Sequence, residues 1–310
     1  MRAAASLLLQ ELDDGQRELA ALPFSDEAAR RWLEYRPERR PGCCLAELSL
    51  AGRKAAHRML ATALSDHCYA QAMVIVALEE VLDRRERGQL GRHSADYWVS
   101  VFGDPAGDAP WSWRFEGHHV SVTMTLLGDD VSPAPVFLGA NPACVSYAGR
   151  PVARPLAPEE DLGRALLDAL GPAGRAAAVV SDRAPDDIRT ATAPRADHVL
   201  EPLGVSAATL GPTPRALVSQ LVALYLDRLP AEIAGQQAAR IAGGPLHFAW
   251  EGPVTPGARH YYRVQGDDLL IEYDTTDDGN HAHTVLRRPR SDFGDDILAA
   301  HYRDAHVTAG

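Results

Sequence analysis

The spacing of apolar and polar positions changes near residue 97. Before it, apolar residues recur at helical intervals. Ala55, Met59, Leu60, Ala63 and Leu64 form one stripe, Ser65-Asp66-His67 interrupts it, and Met73, Val76, Ala77, Val81 and Leu82 form a second. Residues 1–35 read as two helical pieces broken at Pro23, with Ser25-Asp26-Glu27 opening the second. After residue 97 the period becomes two. Residues 97–102 form a strand, and 111–125 read as one further strand. In it Trp111, Trp113, Phe115, Gly117 and His119 share a face. His118 then points the other way, unless a bulge intervenes near Gly117. Residues 136–140, 246–250, 261–265, 269–273 and 281–287 complete the strands, with Gly266-Asp267 as a two-residue hairpin turn. Helices follow Pro158 and Pro214, and another covers 295–302.

This pattern predicts an α+β fold. Helices from about 1–92 and from the middle of the chain pack on a largely antiparallel sheet made of about 97–138 and 245–287. No repeat or long linker divides the chain, so 1–310 is expected to be one domain.

Charge narrows the partners. Lys and Arg number 31 against 42 Asp and Glu, a net charge of −11. An acidic chain without a basic stripe is a poor match for nucleic acid or an anionic membrane, so neither is an expected partner. The four cysteines include no Cys-x-x-Cys and read as reduced thiols, which with the helical start predicts a cytoplasmic protein rather than a secreted one. No run approaches the ~20 apolar residues that span a bilayer. The phosphate loop Gly-x-x-x-x-Gly-Lys-[Ser/Thr] and the dinucleotide turn Gly-x-Gly-x-x-Gly are absent, which predicts no nucleotide cofactor.

The candidate chemistry lies in histidines. In Asn280-His281-Ala282-His283 the two imidazoles fall on one face of a strand and can converge on one ion. Gly117-His118-His119 is the other paired stretch. A metal site needs three or four ligands. His119, His281 and His283 are the expected set, with nitrogens within about 4 Å of one another given metal–nitrogen distances of ~2 Å. His118, His301 and Glu272 are the reserves. His57, His67, His93, His198, His247, His260 and His306 have no clustered partner in sequence and read as ordinary.

Several charged residues carry a bland and a sharp reading. Glu272 is either a general base or the cross-strand partner of Arg263. Arg287 and Asp292 are expected to form a buried ion pair near the site. One of Glu79 and Glu80 falls near the apolar stripe of its helix, although acids on helix surfaces are commoner. The cluster from Arg36 to Arg40 reads as a solvated elbow, with an anion clamp as the sharper alternative. The strand from His281 ends beside an Asp-Gly-Asn turn, which predicts a place near the rim of the sheet.

Five segments together resemble the bacterial DUF3500 family. They are Trp32…Tyr35-x-Pro37, Trp111-x-Trp113…Gly117-His118-His119, Phe137-x-Gly139-Ala140-Asn141-Pro142, Ile271-Glu272-Tyr273-Asp274…Asn280-His281-x-His283…Arg287, and Asp292-Phe293-Gly294…His301-Tyr302. The resemblance spans nearly the whole chain and implies one continuous domain. Members commonly carry a secretion signal, which the start of this chain does not resemble. The family name implies no activity.

The expected function is a metal-dependent enzyme acting on a small molecule. An all-histidine shell leans to copper or iron oxidoreductase chemistry, because hydrolytic zinc sites often include a carboxylate. A metal-dependent hydrolase with Glu272 or Asp292 as general base is the alternative. A non-catalytic metal or small-molecule binder is the third.

Overall fold

A computed structural model describes residues 1–88, 93–196 and 201–307. Its centre is a large mixed sheet, mostly antiparallel, against which the helices pack. Along the main path run the strands Tyr97–Phe102, Trp111–Gly117, Val120–Leu127, Val136–Ala140, His281–Arg287, Leu270–Thr276, Tyr261–Gln265 and His247–Glu251, in that spatial order. The α+β class expected from the pattern is the observed one. Parallel pairing occurs where Ala21–Leu22 and Val179–Ser181 join the two ends.

Alternation along the strands divides the sheet into two unlike faces. Val120, Val122, Met124 and Leu126 join one apolar core with Trp111, Trp113, Phe115, Val136, Leu138, Ala282 and Leu286. Helices Arg2–Glu11, Leu50–Ala61, Asp66–Glu86, Ala157–Ala169 and Pro212–Leu226 bury their own stripes on that face. The opposite face carries Ser121, Thr123, Arg114, Glu116, Glu272, Asp274, His283 and Arg287, all buried as well. Here the cover is irregular chain. Tyr35 and Ile188 pack on Phe137 and Val285 as a small second core. A polar layer sealed by loops must satisfy its own hydrogen bonds. The loops supply part of the answer, with Asp187 set against His283 and Thr190 against Glu272.

Four expectations change. Residues 111–125 are two strands, with His118 and His119 forming the tight turn between paired Gly117 and Val120. The strand His281–Arg287 is central, flanked by Val136–Ala140 and Leu270–Thr276. Only its first residue is partly exposed, so the turn before it marks a strand end and not a sheet edge. The first helical stretch breaks at Leu12, where Asp13 accepts from the Gln16 amide and Gln16 returns the bond, before Pro23 is reached. Finally, the Arg36–Arg40 cluster is not wholly solvated. Arg36 to Arg39 are exposed, but Arg40 is buried against Glu116, its Nε 3.4 Å from Oε2. Arg114 approaches the same oxygen at 3.5 Å.

Candidate metal centre

The His118-His119 turn is held from three sides. Tyr97 donates its hydroxyl to the His118 carbonyl at 2.7 Å, and Gly139 donates its N–H to the His119 carbonyl at 2.7 Å. The His119 N–H in turn reaches the Tyr35 carbonyl at 3.1 Å. His119 itself adopts φ 64°, a left-handed conformation uncommon outside glycine. That conformation swings its ring over Gly139, the residue paired with His283 on the neighbouring strand. The turn takes the place of the bulge considered near Gly117. Both histidines leave the strand alternation, and their rings lie 3.6 Å apart, centre to centre.

His119, His281 and His283 come together. One ring nitrogen from each lies within 4.8 Å of the others. The closest pair is His119 Nε2 and His281 Nε2, at 2.8 Å. A carboxylate stands behind each ring. Asp277 Oδ2 is 2.7 Å from His281 Nδ1, Asp187 Oδ1 is 3.0 Å from His283 Nδ1, and Glu79 Oε1 is 3.7 Å from His119 Nδ1. For His281 and His283 this is the arrangement in which an outer carboxylate fixes the tautomer and leaves Nε2 for an ion, whereas Glu79 stands beyond hydrogen-bond distance of His119. Asp274 adds a second oxygen to His283 Nδ1 at 3.4 Å and accepts the His283 backbone N–H at 3.1 Å. Tyr35 donates its hydroxyl to the far oxygen of Asp187 at 2.7 Å.

His118 is turned away from the trio. Its Nδ1 lies 2.7 Å from Glu79 Oε1, so Glu79 serves both histidines of the turn. Of the pair Glu79 and Glu80, it is Glu79 that lies on the buried stripe of its helix, at 1% exposure. Two further groupings with ligating atoms in reach therefore adjoin the trio: Glu79, His118 and His119, and Asp187, Asp274 and His283.

Burial and neighbouring charges separate the histidines. Burial, then the His283 charge, hold the His281 ring down at about 4 despite Asp277, so it is neutral near pH 7. Burial acts against charge on His283 too, but Asp274 and Asp187 outweigh it and push the ring up to about 10. Burial raises the Asp274 carboxyl to about 6 against the pull of His283. The same imidazole, hydrogen-bonded to Asp187, lowers Asp187 against its own burial. The trio thus contains one ready ligand and one that must shed a proton before it can ligate.

The remaining candidates lie elsewhere. Glu272 is fully buried and accepts from the Thr190 hydroxyl and from Tyr261 at 2.9 Å, while Arg263 donates to the Glu201 carbonyl at 2.8 Å. Arg287 and Asp292 form a buried pair, Nε to Oδ2 2.7 Å, whose guanidinium also donates to the carbonyls of Ala193 and Pro194. That pair sits at the far end of the strand from His281. His301 is exposed on helix Asp295–Val307 and outside the grouped imidazoles. His198 and the side chains of Tyr302 and His306 lie outside the described residues.

Sequence reasoning missed Asp187, Asp274, Asp277 and Tyr35 as partners. Asp274 lies directly across from His283, a register readable only once the hairpin is known. Asp187 comes from an irregular loop with no periodic signal. Asn280 and Asn141 have local roles. The Asn280 amide pins Cys144 through N–H to Oδ1 at 2.7 Å, and Asn141 Nδ2 reaches His281 Nδ1 at 3.5 Å.

No helix of the described residues is long and apolar enough to cross a membrane. No curated protein and no solved structure matches the sequence. One family model, described as a protein of unknown function (DUF3500), matches residues 1–295. That match takes in the histidine turn, the paired strand and the ion pair behind it, and the chain belongs to the DUF3500 family.

Proposed function

We propose that His119, His281 and His283 bind one transition-metal ion through their Nε2 atoms, and that the protein is a metal-dependent enzyme acting on a small molecule. The observation that carries this is the 2.8 Å approach of His119 Nε2 to His281 Nε2, with a carboxylate within hydrogen-bond distance behind the His281 and His283 rings. Two nitrogens each ~2 Å from one ion stand about 3 Å apart, so this pair needs little rearrangement to ligate. Imidazole alone suits copper, iron and zinc. The nearby carboxylates here are spent behind the rings, which favours copper or iron and an oxidoreductase over a mixed-ligand hydrolytic zinc site.

A hydrolytic reading keeps one specific support. Asp187 is 36% exposed and is held in its ionised form, so it is a carboxylate beside the trio that solvent can reach and that could take a proton from a water. Glu272 and Asp292 are weaker bases for that role, because each is buried, whereas Asp187 is partly exposed. His281 is partly exposed and Asp277 exposed, so a small substrate would approach the trio from their side.

Elemental analysis of the purified protein tests the proposal, followed by reconstitution with copper, iron and zinc in turn. About one ion per chain, lost in His281→Ala, is the expected result. A visible or paramagnetic signature from the ion supports the redox reading, and a colourless zinc protein supports the hydrolytic one. A wild-type chain that takes up none of the three metals stoichiometrically overturns both.

A further inference from the structure

Helix Ala231–Ile241 turns Ile233, Ala234 and Gln237 inward. Ile233, Gln237 and Ile241 follow at i, i+4 spacing, which sets them on one face. A glutamine in the middle of such a stripe needs a hydrogen-bond partner. Gln237 is buried, and its Nε2 finds none among the described residues. It lines a cavity of about 230 Å³ whose walls include Leu226, Ile241, Leu246, Leu269 and Leu286.

Arg288 lines the same cavity. Its Nη2 donates to Asp268 at 2.9 Å and Asp296 at 3.2 Å, while Nη1 is buried without a partner among the described residues. Two side chains from different elements, both of buried residues, therefore leave donors unmatched beside one partly apolar cavity. The cavity lies apart from the histidines. Leu286 points to the helix-covered face, near the end of the strand that His281 begins.

We infer that this cavity is a second binding site, for a small uncharged molecule with an apolar body and a carbonyl oxygen. The oxygen supplies the acceptor that Gln237 and Arg288 lack. Charge argues against an anion. Arg240 and Arg288 share Asp296, Arg288 also holds Asp268, and Asp267 adds a further carboxylate to the wall. Two guanidiniums face three carboxylates, so an added negative charge meets repulsion. The volume falls below the ~300–1,000 Å³ of sites for drug-sized ligands, which restricts the occupant to about one ring. This inference is independent of the metal.

Three one-ring probes decide it: benzamide, benzoate and toluene, titrated calorimetrically into the full chain. Benzamide should bind saturably and at least tenfold tighter than either of the others. Gln237→Leu should weaken benzamide tenfold or more while leaving the denaturation midpoint equal or higher, because a buried unmatched amide is replaced by an apolar group. Ile241→Trp, which narrows the cavity from its wall, should weaken benzamide and toluene together. Failure of all three probes to saturate means that the cavity holds water only, and overturns the inference. So do tightest binding by benzoate, equal binding of toluene and benzamide, or benzamide binding unchanged in both variants.

Discussion

His119 and Gly139 occupy one space. A Cβ on Gly139 would stand 2.6 Å from His119 Cδ2, closer than real side chains approach. Gly139 is also the strand partner of His283, so the missing side chain is what lets a ring from the turn lie beside the paired histidines. A methyl group there must displace the His119 ring, and it would also stand 3.1 Å from the Ala282 carbonyl. Gly139→Ala is expected to reduce bound metal at least tenfold in affinity, at an overpacking cost of about 1–3 kcal/mol. Metal titration beside urea denaturation checks it. Full affinity in a folded Gly139→Ala protein would show that His119 is not a ligand.

His281 and His283 should separate under mutation. A strand near the rim, as the sequence suggests, would let both be removed with the fold spared. The central position of the strand changes that. His281 sits at the open end, neutral and partly exposed, so His281→Ala should cost about 1 kcal/mol or less while abolishing metal binding. His283 is 6% exposed and is the counter-charge for fully buried Asp274. His283→Ala leaves that carboxylate without its partner, and breaking such a buried pair costs about 3–5 kcal/mol. The double change His283→Ala plus Asp274→Asn should recover part of the loss. Equal stability of the two single variants, by urea denaturation, would contradict this division.

The fold was legible where one period dominated. The stripes through Ala55–Leu64 and Met73–Leu82 became helices Leu50–Ala61 and Asp66–Glu86, and the β runs joined one sheet. The histidine turn was not, because period-two alternation runs straight through Gly117-His118-His119, and Gly117 suggests a bulge as readily as a two-residue turn with a left-handed histidine. The trio of ligand candidates was legible from spacing on one strand plus a second pair. Its carboxylates were not. Asp187 arrives from a loop, Glu79 from a helix on the other face of the sheet, and Asp274 by register. Long-range placement of this kind comes from packing and has no local pattern to announce it.

The Arg287–Asp292 pair carries its own prediction. Both side chains are buried, and burial raises the Asp292 carboxyl above the usual carboxylate range against the opposing pull of Arg287. Asp292 also accepts the Arg288 N–H at 2.9 Å, so it anchors the turn leading to the last helix. Asp292→Ala should lower stability by about 3–5 kcal/mol, since it strands a guanidinium in the interior. Arg287→Met with Asp292→Ala should cost clearly less than the sum of the singles. A double-mutant cycle in urea reads the coupling, and additive losses would mean that the pair contributes nothing as a pair. Metal content should stay unchanged in every folded variant, because the pair lies at the far end of the strand from His281.

His260 predicts how stability responds to acid. Its ring stacks on Trp250 with centres 4.6 Å apart, and Arg164 Nη2 lies 3.0 Å from its Nδ1. Burial, then the Arg164 guanidinium, hold the ring down at about 4 in the folded chain. In the unfolded chain a histidine titrates near ~6.5. Between those values the unfolded state binds the proton and the folded state does not, so stability falls as the pH falls. The loss begins below about pH 6.5, is complete near pH 4, and amounts to on the order of 3 kcal/mol. Other groups titrate in the same window, His281 among them. The measurement is therefore the difference between wild type and His260→Gln, followed by urea denaturation from pH 7.5 to pH 4. Glutamine keeps a polar group beside Arg164 but takes up no proton. Wild type should be the more stable protein at pH 7.5, where the stack with Trp250 is intact, and should lose that advantage as the pH approaches 4. A difference independent of pH would mean that the ring protonates as easily inside the protein as outside it.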